Sequence, residues 1–114
     1  MARAAFLLSV SLSLLPGVAL AAAEEPGVRI TAPVDGARLD GMDLTRLVYE
    51  VRPGPKGDHV HVYVGGKEIG ILRQLKGSYT LESLPAGAQD LCVKVVNKAH
   101  VPIGVEQCVK VVVE

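Results

Sequence analysis

No tryptophan occurs in this chain of 114 residues, and phenylalanine appears once, tyrosine three times and cysteine twice. The scarcity of aromatic rings counts against a sugar-binding surface, which relies on large flat contact areas. Acidic and basic residues balance at 12 each, with no run of either sign. A neutral chain without a basic stripe has no electrostatic footprint for nucleic acid or for an anionic lipid surface. Gly65-Gly66 is the spacing of a tight turn, and no phosphate-cradling glycine loop is present. Ser78 and Ser83 have no His and Asp companions in a recognisable nucleophilic arrangement, which leaves hydrolase chemistry unsupported. The chain reads as non-enzymatic.

What is present begins with a leader. Arg3 supplies a positive start, Ala4–Leu15 is apolar or small, and Pro16-Gly17 breaks any helix. Ala19-Leu20-Ala21 and Ala21-Ala22-Ala23 each offer a small-x-small cleavage pattern. This is the layout of a secretory signal peptide over 1–23, too short and too interrupted to span a bilayer. Cleavage leaves one small domain over 24–114, exported to the periplasm or secreted, with no membrane span.

The rest of the chain alternates between short extended runs and turns. Val28–Thr31, Leu44–Arg52, His59–Val64, Lys67–Arg73, Ser78–Glu82, Asp90–Asn97 and Val105–Val113 read as strands. Pro33–Gly36, Pro53–Asp58, Gly65-Gly66, Lys76-Gly77 and Leu84–Gly87 read as the turns between them, and Ala37–Asp43 as irregular. No stretch after the leader keeps a helical period. About seven short strands predict an all-β sandwich or barrel, and abundant valine suits a half-buried pleated surface.

The pentapeptide Cys-Val-Lys-Val-Val occurs twice, at Cys92–Val96 and Cys108–Val112. Folded as an antiparallel hairpin with Cys92 opposite Cys108, the two copies place Asp90 against Lys110 and Lys94 against Glu106. Leu91 then meets Val109, and Val95 meets Val105. Opposite charges line one face and aliphatic pairs the other, as cross-strand pairing favours. Two cysteines in an exported chain point to a disulfide, and directly opposed residues stand within bridging range. The cysteines share the outward phase of Lys94 and Lys110, while Leu91, Val93, Val95, Val109, Val111 and Val113 turn inward.

Asp58-His59-Val60-His61-Val62-Tyr63-Val64 sets His59, His61 and Tyr63 on one strand face and three valines on the other. Residues two apart on a strand are about 6.6–7 Å apart, so two imidazoles there can converge on one ion. Neutral imidazole suits copper and zinc. The remaining histidine, His100, lies in Asn97–Ile103 at the tip of the terminal hairpin. Asp58 can supply an oxygen ligand or orient a histidine. Against this stands the plainer reading, a solvated histidine pair on an outward strand face. Glu50, Glu68 and Glu82 read as solvated charges, Tyr49 and Tyr79 as core residues.

The segment His59–Lys67, followed by Leu84-Pro85-Ala86-Gly87 leading into a valine strand, resembles small exported bacterial immunoglobulin-like β-sandwich proteins of largely unknown function. That resemblance implies an immunoglobulin-like antiparallel sandwich of about seven strands. Its topology would bring the loop that carries His100 and the start of the His59 strand to one end of one sheet. Antibody-type domains join their sheets through the core and pack a tryptophan on the bridge; this chain, without tryptophan and with outward cysteines, uses a different staple. His59-Val60-His61 is also similar to the histidine-valine-histidine strand of copper–zinc superoxide dismutases. The likeness covers those two positions only, since the further metal histidines and the arginine-bearing loop of that family have no counterpart here.

Three functions remain. The first is an exported binding or interaction module using Tyr63, Asn97, Lys98 and Val101 toward an unknown protein partner or another copy of itself. It needs no cofactor, and outward-phase Val48, Val96 and Val112 add to its surface. The second is a periplasmic copper or zinc binding protein using His59, His61 and His100, with Asp58. The third is a weak carbohydrate-binding module centred on Tyr63, the one tyrosine in outward phase.

Overall fold

The computed structural model describes residues 25–114 together with residue 11. The signal peptide expected over 1–23 lies, but for residue 11, outside the described residues. Eight strands follow in order: β1 (Gly27–Ala32), β2 (Ala37–Leu39), β3 (Thr45–Arg52), β4 (His59–Val64), β5 (Lys67–Leu72), β6 (Lys76–Leu81), β7 (Gly87–Val96) and β8 (Pro102–Val113). No helix occurs among the described residues. The strands form two sheets, β1-β3-β6 and β2-β8-β7-β4-β5.

Period-two alternation explains the layering. On β3, Leu47, Tyr49 and Val51 are buried while Arg46, Glu50 and Arg52 are exposed. The facing sheet answers with Val60, Val62 and Val64 of β4, Leu91, Val93 and Val95 of β7, and Val109, Val111 and Val113 of β8. These inward rows form one apolar core between the sheets, the arrangement that lets each sheet bury one face. Tyr49 satisfies its hydroxyl within that core by donating to the Gln74 carbonyl at 2.9 Å.

The terminal hairpin pairs as its charges and aliphatics demand, with Asp90 opposite Lys110, Leu91 opposite Val109, Cys92 opposite Cys108 and Lys94 opposite Glu106. Cys92 and Cys108 form a disulfide. Beyond Lys94 the expected register fails. Val95 does not face Val105; Val96 pairs with Pro102 instead. The extra residues Ile103, Gly104 and Val105 form a bulge on β8, and Gly104 adopts φ 87°, a left-handed backbone that glycine enters without steric cost. Val96 keeps the outward phase of His59, its partner on β4, yet is fully buried, while Val48 is half-buried and Val112 is 39% exposed.

A second difference lies at the chain's start. The segment expected to be irregular contributes β2, which runs parallel to β8 with Ala37 opposite Val111 and Leu39 opposite Val113. The five-stranded sheet is thus mixed, not wholly antiparallel. Ala37 and Leu39 pack against the core with Arg38 exposed between them, and local polar contacts support the pairing. Asp35 Oδ1 accepts the Lys110 amide at 2.7 Å, Gly36 donates to the Lys110 carbonyl at 2.7 Å, and Arg38 pairs with Glu114 at 2.7 Å. The short strand covers part of the β8 edge, which would otherwise offer unpaired backbone groups.

The staple's contribution is measurable. Replacing both cysteines (Cys92→Ala with Cys108→Ala) is expected to cost about 3 kcal/mol, the value for a cross-link closing a loop of this length. The check is the denaturant midpoint of the double variant against the parent. An unchanged midpoint would mean that strand pairing alone holds the hairpin.

Candidate metal centre

The outer face of β4 carries the site. Because valines at 60, 62 and 64 point into the core, His59, His61 and Tyr63 point the other way. The preceding loop closes against the sheet. Asp58 donates its amide to the Val96 carbonyl at 2.9 Å. Gly57 sits so near the Pro53 carbonyl and the Val95 side chain that any Cβ would collide with both. Asp58 is thereby fixed beside His59, and its Oδ2 lies 2.8 Å from His59 Nδ1.

The hairpin tip supplies the third imidazole. Asn97 organises the turn: its Oδ1 accepts the amides of Ala99 at 2.9 Å and Val101 at 3.0 Å, and its carbonyl accepts that of His100 at 2.9 Å. His100 takes φ 64°, a left-handed conformation uncommon outside glycine and costly enough to need support from its surroundings. With the bulge at Ile103–Val105, this turn sets His100 over β4. Its ring centroid lies 4.5 Å from that of His59 and 5.2 Å from that of His61.

Three nitrogens meet there. His59 Nε2 and His61 Nε2 are 3.0 Å apart, and His100 Nδ1 is 3.2 Å from the first and 3.1 Å from the second. His59 and His61 are 1% and 2% exposed, whereas His100 is exposed. The two strand histidines are therefore not a solvated pair. They lie on the outer face of the sheet but under the 97–101 turn.

Carboxylates stand at the far nitrogens. Asp58 holds His59 Nδ1, and a Glu68 oxygen lies 3.2 Å from His61 Nδ1, though off the direction a straight hydrogen bond needs. A carboxylate accepts only, so each favours a proton on Nδ1 and leaves Nε2 with a bare lone pair. Two lone pairs 3.0 Å apart, faced by a third nitrogen, repel unless a cation or a shared proton lies between them. Bonds from imidazole to zinc are about 2.0–2.1 Å, so ligands at the tetrahedral angle stand about 3.4 Å apart and ligands at a right angle about 2.9 Å. The observed separations of 3.0–3.2 Å fall between these values. His59 Nε2, His61 Nε2 and His100 Nδ1 are the atoms that would hold such an ion.

Charge and burial tune the group. Burial, first, pushes His61 below the ordinary histidine pKa, and the neighbouring His59 and His100 push the same way against an opposing Glu68. The Asp58 carboxyl is held below the usual range, chiefly by its bond to His59, with Lys98 and Arg73 assisting. Arg73 stands 3.9 Å from Asp58 Oδ2.

Glu68 escaped the sequence reading, which took it for a solvated charge. A signal existed. A two-residue Gly65-Gly66 turn pairs Val64 with Lys67, and hence Tyr63 with Glu68, diagonal to His61. A bulge after Val62 absorbs Ile69 and keeps Glu68 on the histidine face. The other expected surface residues do not join the centre. Tyr63 is half-buried, 6.4 Å from the His61 ring, with the Lys94 ammonium 4.7 Å over its face; no open aromatic platform results. Asn97 is a turn organiser, and Lys98 and Val101 are exposed beside His100.

The fold and this geometry define an immunoglobulin- or fibronectin-III-like module with a cross-strand disulfide and a three-histidine cluster. Among solved structures the chain is similar to a fibronectin(III)-like module of Clostridium thermocellum CbhA, with TM-score 0.62 and 22% identity over 75% of this chain and 93% of that one. It is also similar to part of an FMN-binding beta-glucuronidase from Facaelibacterium prausnitzii L2-6, with TM-score 0.56 and 20% identity over 80% of this chain and 12% of that one. A third likeness is to a Jonesia denitrificans lytic polysaccharide monooxygenase, with TM-score 0.51 and 17% identity over 72% of this chain and 60% of that one. At these identities the likeness shows the fold alone. No protein-family model matches the chain, and no curated protein matches it.

A pH dependence of stability follows from His61. In an unfolded chain histidine takes up its proton near pH 6.5, and folded His61 does so only at lower pH. As pH falls through that value the unfolded state binds more protons, so stability present at neutral pH is lost on acidification. The melting midpoint of the metal-free domain should fall between pH 7.5 and 5.5, and His61→Gln should flatten that fall. Equal slopes for the two proteins would show that burial of His61 carries no such penalty.

Proposed function

We propose that this module binds a divalent or monovalent transition metal, copper or zinc, through His59 Nε2, His61 Nε2 and His100 Nδ1. The observation that carries this reading is the meeting of three imidazole nitrogens within 3.0–3.2 Å, two of them buried and backed by carboxylates. Buried polar groups gather in this way only when something compensates their desolvation. A bound cation does so for all three together. The donor set is nitrogen only, which suits copper and zinc better than calcium or magnesium. Among divalent ions the general affinity order places Cu(II) above Zn(II).

The role is binding rather than turnover, carried out by an exported domain in the periplasm or outside the cell. An interaction function is the same role in coarser form: Lys98 and Val101 are exposed close to His100 in the chain, so a partner docking on the 97–101 turn would stand next to the third ligand. Asp58 and Glu68 act through the histidines. They keep Nδ1 protonated and the rings oriented, and loss of such partners lowers metal affinity by roughly 10–100-fold in comparable sites.

Calorimetric titration with Cu(II) and Zn(II) tests this directly. The parent domain is expected to bind one equivalent with sub-micromolar affinity, tighter for Cu(II). His61→Ala should abolish that binding, and Glu68→Gln should weaken it by about tenfold or more. Heat no greater than buffer background, or equal binding by the His61→Ala variant, would remove the reading.

A further inference from the structure

Resting on that metal reading, we propose that the 97–101 turn is the gate of the centre. His59 and His61 stay fixed, His100 moves with the turn to admit or release an ion, and Asn97 is the positioning residue that keeps the turn closed. Accessibility differs among the three histidines. The side chains of His59 and His61 are each 2% exposed, and their Nε2 atoms lie against His100 Nδ1. An ion arriving from solvent meets the exposed His100 first. It reaches the other two nitrogens only when that cover lifts.

The two buried imidazoles sit on the rigid part of the fold. Their strand, β4, is paired on both sides, with β5 and with β7, and its alternate valines are packed into the core. The turn above them is held differently. Lys98, Ala99, His100 and Val101 are all exposed, so little buried apolar surface fastens it. Hydrogen bonds close it instead. Asn97 Oδ1 accepts the amides of Ala99 and Val101, the Asn97 amide donates to the Val101 carbonyl at 3.0 Å, and the His100 amide donates to the Asn97 carbonyl. The side chain of Asn97 thus takes part in two of these four bonds. A segment with solvent-exposed hydrogen bonds and few buried apolar contacts opens locally while the rest of a domain stays folded. The left-handed backbone of His100 favours such opening further, because leaving the closed turn relieves it. Rigid ligands below and a lightly held ligand above assign the moving part to His100.

Co(II) alone is the probe, since its visible spectrum reports binding. Uptake by the metal-free protein is followed by stopped-flow mixing, and release after addition of excess EDTA. Asn97→Ala removes two hydrogen bonds from the closed turn, and the ordinary net strength of such bonds implies uptake about tenfold faster. The same bonds close the turn before and after binding, so release should accelerate by a similar factor and affinity should change little. A side chain needed only to place a ligand well would speed release alone and weaken affinity. His100→Gly removes the cover and places at position 100 the residue best suited to a left-handed backbone, so the fold is kept. That variant should also take up Co(II) faster than the parent, and hold it more weakly for want of the third ligand. Uptake no faster than the parent's in either variant, or faster release by Asn97→Ala with unchanged uptake, would overturn the gate while leaving the metal reading intact. Failure of the parent to take up Co(II), Cu(II) or Zn(II) at all would remove both.

Discussion

The pairing of β7 with β8 is the constraint on which the rest depends. Leu91 against Val109 buries apolar surface on the inner face, and the Cys92–Cys108 bridge ties the outer face. From this hairpin the five-stranded sheet grows both ways, β4 and β5 beyond β7 and β2 beyond β8. The hydrophobic effect supplies the main driving force, and the cross-link restricts the unfolded chain. The same hairpin has His100 at its tip, midway between the two cysteines. Whatever holds β7 to β8 therefore also holds the third imidazole over the other two.

That arrangement has a cost. Imidazoles at 59 and 61 leave water almost completely, with a hydrogen-bonding carboxylate on one and a poorly aimed one on the other. His100 adopts a left-handed backbone, and Gly104 must bend the returning strand. Both of these departures lie between β7 and the first residues of β8, in the hairpin that carries the third imidazole. Clustering of strain and buried titratable groups at one place is the usual mark of a site maintained for binding rather than for stability. A rigid frame with irregular loops at its end also explains how one sandwich architecture serves many purposes, so the function is argued from the site and not from the fold.

Bulges separate what could be read along the chain from what could not. Alternation identified the inward valines of β4, β7 and β8, and charge complementarity identified the hairpin register as far as Lys94. Past that point Ile103–Val105 accommodates extra residues, so Val105 loses Val95 as a partner; Val96 keeps its outward phase yet is buried. The β2 strand was illegible for a related reason. Its three residues are too few for their alternation to announce a strand, and they pair with β8 beside backbone and polar contacts set up by Asp35 and Gly36. Glu68 was legible in principle, since the Gly65-Gly66 turn dictates its position opposite Tyr63, yet its approach to His61 depends on the neighbouring bulge.

Local chemistry determined by itself that the chain builds a valine-rich sandwich, that Cys92 and Cys108 face each other, and that His59 and His61 share a strand face. Those properties follow from side-chain alternation and nearest-partner pairing, which need only short stretches of chain. Tertiary structure decided that the two histidines are buried, that Glu68 backs one of them, and that His100 completes the group. The distance between positions 61 and 100 depends on strand order, on two bulges and on a turn held by Asn97, and no periodicity in the chain encodes their sum.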